Sequence, residues 1–295
     1  MKHSTTTMAV LLALALASCS QQGNTEAAKT AAAGGAPTAA DQTKDPGMTD
    51  LKAPSPDSVL YVIYQRDGDG AVSYKIDSGA MVSYWYGYPF TLKGRQYFTG
   101  FATSTEGDDT AESDGGMMEP GHVAIAQATF VKAEEAGKPI WSQVDTDGYV
   151  GEFGHNDQPD AIDETRKPLS QEIADGRLLL ALPTRSFDNG VAQSLYALFL
   201  FDPDNVDDLS FRSWGYLGSV VAGSDNTAAC DDNKIMPCAV STGTLSFEAP
   251  GQAGLPNVKI ALAGKEISGP DKTRDLGAED AVTYAFDTKE GRYQP

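Results

Sequence analysis

Arg177-Leu178-Leu179-Leu180-Ala181-Leu182 and Ala192-Gln193-Ser194-Leu195-Tyr196-Ala197-Leu198-Phe199-Leu200-Phe201, joined through Asp188-Asn189-Gly190, are the two longest apolar runs in the C-terminal two thirds of the chain. A strand with one face in water alternates apolar and polar residues. These runs do not alternate, so they read as strands covered on both faces. The surrounding sequence repeats the β signal. Val59–Tyr64 is β-branched and aromatic, and Asp67-Gly68-Asp69-Gly70 is a turn signal that leads into Ala71–Ile76, which predicts a hairpin. Met81–Phe90, Gln96–Thr103, His122–Lys132, Ile140–Val144 and Tyr149–Phe153 read as further strands, with turns at Lys93-Gly94, Glu134–Pro139 and Asp147-Gly148. Phe211–Val221, Gly243–Phe247, Val258–Ala263 and Val282–Phe286 complete the series.

Helical signal is slight. Leu169–Ala174 is expected to make a turn or two, with Ser170 as N-cap and Gly176 as stop, and Val206–Leu209 one turn. The acidic stretch Glu106–Glu119 reads as a loop. Short strands with regular turn signals predict a mostly β chain, an antiparallel sandwich or barrel-like domain with little helix. That domain is expected over residues 57–295, either as one unit or as two packed halves meeting near 157–168, a polar stretch between β-rich segments.

Ahead of it lies a different composition. Lys2 and His3 precede the ten-residue apolar run Met8–Ala17. A bilayer-spanning helix needs about 20 apolar residues, so the run has the length of a signal-peptide core instead. It closes on Leu16-Ala17-Ser18-Cys19, which resembles the lipobox of bacterial lipoprotein precursors. The resemblance implies a signal peptide over residues 1–18 and cleavage before Cys19. It also implies diacylglycerol on the Cys19 thiol and an acyl chain, palmitate in the usual case, on the new amino group. Ser20, where an aspartate would favour retention in the inner membrane, implies an outer-membrane lipoprotein facing the periplasm. The alternative is an ordinary secretory signal cut near Ala17 with an incidental cysteine. One acyl chain binds a membrane marginally and two or more anchor it stably. Residues 19–56 are rich in Ala, Gly, Gln, Thr, Asp and Pro and cannot bury enough apolar surface to fold alone. They read as a tether of about 35 Å root-mean-square span.

Lys2 is the one basic residue, of 22, ahead of Cys19, and none of the 41 acidic residues precedes it, so the chain from Cys19 on carries a formal charge of −20. Such a charge opposes nucleic acid and anionic membrane faces, and fits a basic protein partner or divalent cations. Solubility alone is the plainer explanation. Beyond Cys19 the only cysteines are Cys230 and Cys238, bracketing a polar loop that ends in Pro237. In an oxidising compartment a lone pair this close is expected to form a disulfide.

Motifs of named chemistry are missing. No Gly-x-Ser-x-Gly elbow is present, and no glycine-rich phosphate loop precedes a helix, so nucleotide binding is disfavoured. Two histidines follow Cys19. His122 opens a strand and reads as structural or exposed. His155 sits in the polar stretch Gly154–Asp160, where imidazole and carboxylates such as Asp157 could hold a metal, a turn-rich loop being the alternative. Asp145-Thr146-Asp147-Gly148 with Glu152 is an incomplete calcium-loop pattern: a third acidic position is absent and Glu152 comes too early, so a hairpin turn competes with Ca2+ binding. Tyr84-Trp85-Tyr86-Gly87-Tyr88, with Trp214-Gly215-Tyr216, is the candidate recognition surface, because Tyr and Trp join large area to a polar tip. If the first is a regular strand, Tyr84, Tyr86 and Tyr88 face one way and Trp85 the other; sheet packing is the alternative role.

Three functions follow as expectations. The favoured one is a non-enzymatic, membrane-tethered protein-binding module, such as an inhibitor or immunity protein against an envelope-attacking toxin, needing no cofactor. The others are a carboxylate- or metal-dependent hydrolase of cell-wall or glycan substrates, and a structural envelope component.

Overall fold

A computed structural model describes residues 51–105, 121–205, 213–232 and 234–295. The signal peptide, Cys19, the tether up to residue 50, Glu106–Glu119 and Val206–Leu209 lie outside the described residues. Strand accounts for 61% of the described residues and helix for 7%, so the chain is the mostly β, antiparallel protein that the patterning predicts.

Among the described residues three sheets form in chain order, behind one α-helix, α1 (Pro56–Tyr64). Sheet 1 is a meander of β1 (Ser73–Lys75), β2 (Met81–Leu92), β3 (Arg95–Ser104), β4 (Val123–Glu135) and β5 (Lys138–Phe153). Sheet 2 holds β6 (Ala161–Ile162), β7 (Leu169–Glu172), β8 (Leu178–Asp188), β9 (Val191–Phe201) and β10 (Trp214–Asp225), ordered β10-β9-β8 with β6 and β7 sharing the far side of β8. Sheet 3 holds β11 (Ser241–Pro250), β12 (Pro256–Gly269), β13 (Lys272–Leu276), β14 (Val282–Asp287) and β15 (Arg292–Gln294), with β13 extending the β12 edge.

Sheet 2 is the middle layer. β8 and β9 pair from Leu178↔Phe201 to Asp188↔Val191 around Asn189 and Gly190, both at positive φ as a two-residue turn requires. Leu178, Leu180, Leu182, Ala197, Phe199 and Phe201 pack with Phe101, Ile125 and Val150 of sheet 1. Their sequence neighbours Leu179, Ala181, Tyr196 and Leu198 pack with Leu245, Val258 and Ile260 of sheet 3. Burial on both faces is why these runs do not alternate.

Three local expectations are corrected. Val59–Tyr64 is not a strand but most of α1, and β1 pairs with β2 instead. Pro56 sits at the first helical turn, where a missing N–H costs nothing, and Gln65 ends the helix in the left-handed conformation with its N–H on the Tyr61 carbonyl. Val59, Leu60 and Ile63 bury against Phe98, Ala102, Ala126, Ala128 and Phe130 on the outer face of sheet 1, and that packing overrides their β propensity. Leu169–Ala174 is not helical either. β7 pairs with Leu178–Ala181, and Gly176, at φ 84°, turns the chain between them. Finally, the chain does not reverse at Asp147-Gly148. β5 runs through it along β4, and register shifts absorb the extra residues as bulges.

Among the described residues no helix is long and apolar enough to cross a membrane.

Candidate functional site

The residue carrying the most chemical information is Asp160. It lies between β5 and β6, where the Trp85 indole N–H donates to its backbone carbonyl at 2.9 Å. The Trp85 ring is itself held edge-on against Phe153 at 4.8 Å. The Asp160 residue is only 6% exposed. Among the described residues none hydrogen-bonds its carboxyl. Burial therefore pushes that carboxyl up to about 6, with His155 and His122 pulling it partly back.

Asp160 lines a cavity of about 660 Å³ with both histidines, His122 and His155, and with Glu152. The walls come from far-separated stretches: the end of β5, the β8–β9 hairpin, β10, and Glu290 to Gln294 around β15. A small hairpin places His155. Its N–H and carbonyl both bond Gln158, and Asn156 and Asp157 between them take positive φ. The Asp157 N–H bonds the Gly121 carbonyl at 2.8 Å, which ties this hairpin to the residue preceding His122. Gly154 has φ 78°, and a Cβ there would collide with the Gln158 carbonyl, so the approach needs glycine. The His155 Nε2 lies 3.1 Å from the Phe187 carbonyl. A carbonyl only accepts, so Nε2 carries the hydrogen, and Nδ1 of the uncharged ring is left as an acceptor.

Glu152 extends from β5 opposite Ala124, and its Oε2 is buried without a hydrogen-bond partner. The Tyr216 hydroxyl pairs with Ser219 Oγ at 2.8 Å, and burial pushes it up to about 12. Arg292 and Glu290 form a loose pair at 3.5 Å, both half exposed. The cavity thus presents carboxylate oxygens and an imidazole nitrogen beside aromatic faces, and its one arginine has its own carboxylate.

The residues singled out from sequence divide. Glu152 and His155 meet in the cavity. Asp145 does not join them: its Oδ2 accepts from Gln127 Nε2 at 2.7 Å and from the Ser213 amide and hydroxyl at 3.1 and 2.6 Å, beside a separate cavity of about 70 Å³. Asp147 Oδ1 accepts from the Tyr149 amide at 2.9 Å, and Asp157 is exposed. Among the described residues no three His, Cys, Asp or Glu side chains are grouped to hold a metal ion.

The aromatic residues serve the interior. Trp214 is fully buried, its indole N–H shared between Thr99 Oγ1 and Thr129 Oγ1 at 3.0 and 3.1 Å, so it is not part of a surface. The expected alternation is also broken. Tyr84 stands opposite Ala102 and Tyr86 opposite Phe101, so Trp85 is a bulged extra residue. Tyr84 packs near α1, while Trp85, Tyr86, Tyr88 and Tyr216 pack against the core between sheets 1 and 2.

Cys230 and Cys238 are disulfide-bonded, with Cα atoms 5.2 Å apart. Sequence reasoning missed His122, read as structural or exposed, and took in Asp160 only as the end of the polar stretch Gly154–Asp160, without setting it apart from the other acidic residues. The signal that could have found His122 is scarcity, since both histidines beyond Cys19 reach one cavity.

Fold and cavity together define a stack of three antiparallel sheets with a titratable, acceptor-rich cavity. No protein-family model matches the chain, and no curated protein or solved structure is similar enough to it to supply a relative.

Proposed function

We propose that this protein is a lipid-anchored, periplasm-facing module of the outer membrane that binds a basic protein partner without transforming it. An inhibitor or immunity protein against an envelope-attacking enzyme is the concrete version. The supporting observation is the cavity, where Asp160 and Glu152 Oε2 are buried with no lysine or arginine paired to them among the described residues. Buried carboxylates without partners are costly, and they persist where a ligand completes them. The formal charge of −20 beyond Cys19 draws a basic partner and repels nucleic acid.

Two experiments test the reading. Replacing Cys19 with alanine is expected to move the protein from the membrane to the aqueous fraction; a variant that stays with the membrane removes the anchor. Complexes from detergent-solubilised envelopes are expected to contain a basic protein that rebinds the purified chain in defined stoichiometry. Envelopes that retain no specific partner, or a partner that does not rebind, overturn the binding role.

One observation favours a second reading, the carboxylate-dependent hydrolase. Asp160, a carboxyl that holds its proton nearer neutrality than usual, shares a cavity with a second carboxylate, Glu152. A carboxyl raised by burial beside a second carboxylate is an arrangement that general acids of glycan hydrolysis use. Release of soluble fragments from purified cell wall, abolished by Asp160→Asn, would establish it.

A further inference from the structure

We infer that the cavity is a receptor for an organic cation, an alkylammonium or guanidinium group, which binds against the Asp160 carboxylate. This rests on the binding reading above and names the chemistry of the group received. Charge balance, hydrogen-bond capacity and shape carry it.

The charge balance comes first. Asp160 is 94% buried by its 6% exposure and lines the cavity, and its carboxyl, unlike its backbone carbonyl, makes no hydrogen bond to a described residue. Glu152 Oε2 is buried and equally unpartnered. Arg292 is engaged with Glu290 and does not neutralise either. Two carboxylates with no lysine or arginine of their own among the described residues, and with the imidazoles of His155 and His122 offsetting Asp160 in part, are complementary to a positive group.

Hydrogen-bond capacity gives the same answer. The free positions on Asp160 and Glu152 are acceptors, and Nδ1 of His155 is an acceptor in the uncharged ring because Nε2–H faces the Phe187 carbonyl. An ammonium has three donors and a guanidinium five, and neither accepts. At Asp160 and Glu152 a phosphate or carboxylate ligand would meet acceptors with acceptors. A bare metal ion would need ligands converging on one point, and no three are grouped so among the described residues.

Shape then separates an organic cation from a simple one. The cavity of about 660 Å³ has room for a side chain or small molecule bearing the charge, and Tyr216 lines it beside Asp160. A lysine or arginine side chain projecting from a protein partner and a free amine share this chemistry.

The test titrates the purified chain with Nα-acetyl-arginine methylamide, Nα-acetyl-lysine methylamide and, as the uncharged isostere, Nα-acetyl-citrulline methylamide, by calorimetry at pH 7.5. At least one cationic probe is expected to bind, with the citrulline probe weaker by at least about tenfold. Asp160→Asn is expected to weaken the cationic probe by at least about tenfold, and Glu152→Gln by less. Asp160→Asn keeps the side chain's shape and removes a buried charge, so loss of binding cannot be unfolding if its thermal midpoint equals or exceeds that of the parent. Equal binding of the citrulline probe overturns the proposal, as does unchanged affinity in Asp160→Asn. The binding reading fails separately. If the amide probes bind in an Asp160-dependent way but envelopes yield no protein partner, the cavity serves a free amine and the protein-partner reading falls. If a reconstituted partner binds Asp160→Asn as tightly as the parent, the partner stands and the cavity proposal falls.

Discussion

Asp160 and Asp163 are three residues apart, both are buried, and their carboxyls are displaced in opposite directions. At Asp163 burial pushes upward, but hydrogen bonds from Thr165 and Arg166 outweigh it and hold the carboxyl down at about 2. Arg166 Nε and Arg185 Nη2 donate to it at 2.6 and 2.8 Å. Arg166 also reaches the Thr184 and Leu195 carbonyls and lies over the Tyr196 ring. Asp160 has burial without those donors. The pH consequences follow with opposite signs. Asp160 in the folded chain keeps a proton that the unfolded chain has released between about pH 4 and 6. Its contribution to stability therefore falls as pH rises through that window and stays unfavourable above it. Asp160→Asn is expected to raise urea-unfolding stability by about 2–3 kcal/mol at pH 8 and to leave it unchanged at pH 3.5. Equal shifts at both values would show that the charge is not the cause. Asp163 stabilises the fold above about pH 4, and that contribution is lost as pH falls toward 2. Asp163→Ala removes the carboxylate that Arg166 and the half-exposed Arg185 share and is expected to cost about 2–3 kcal/mol at pH 7, read from the same unfolding curves. The local sequence marks Asp163 in part, through Thr165 and Arg166 two and three residues on, but Arg185 reaches it only through pairing of β6 with β8.

At the scale of elements, legibility tracked how many faces a segment buries. β8 and β9 bury both, and consecutive apolar residues announced them. α1 buries one face over nine residues, too short for a helical period to stand out from a β-branched run. What seats it lies about forty residues on in β3 and more than sixty on in β4, where Gly100, Ala102, Ala126 and Ala128 leave the outer face of sheet 1 low enough for a helix. A Cβ on Gly100 would stand 2.5 Å from a Val59 methyl. Leu60, fully buried against Ala102 and Ala126, is expected to cost about 2–5 kcal/mol on replacement by alanine. Gly100→Val is expected to cost about 1–3 kcal/mol by overpacking the same interface. In both variants hydrogen exchange should accelerate at the α1 amides while those of β8 and β9 keep their protection. Uniform loss of protection would mean that the helix is not a separable layer. The bulge at Trp85 was equally invisible, since one extra residue leaves composition intact and reverses every later side chain.

At the scale of the whole molecule, periodicity predicted the fold class, whereas the cavity emerged only from topology. Its residues run from His122 to Gln294, and they meet because three consecutive sheets stack so that β5, β8, β9, β10 and β15 approach one place. No spacing rule anticipates that. The link from sheet 2 to sheet 3 is, by contrast, a local feature that sequence did expose. Between β10 and β11 the Cys230–Cys238 disulfide closes the connection. Asn226 holds its base, accepting from the Ala239 amide at 2.7 Å and donating to the Pro237 carbonyl at 3.0 Å. Asp225 and Val240 bridge beside it. These bonds survive reduction, and Cys230 is buried, so losing the disulfide should release the nine-residue loop without detaching sheet 3. The loop-entropy relation then gives a loss of about 2–3 kcal/mol for the double Cys230→Ser, Cys238→Ser variant, a fall of about 5–10 °C in Tm for a body of this size. The cavity contains neither cysteine, so the variant should bind the arginine probe as the parent does. A Tm loss accompanied by failed probe binding would mean that the connection sets the relative placement of the two sheets, and that the cavity depends on the disulfide for its shape.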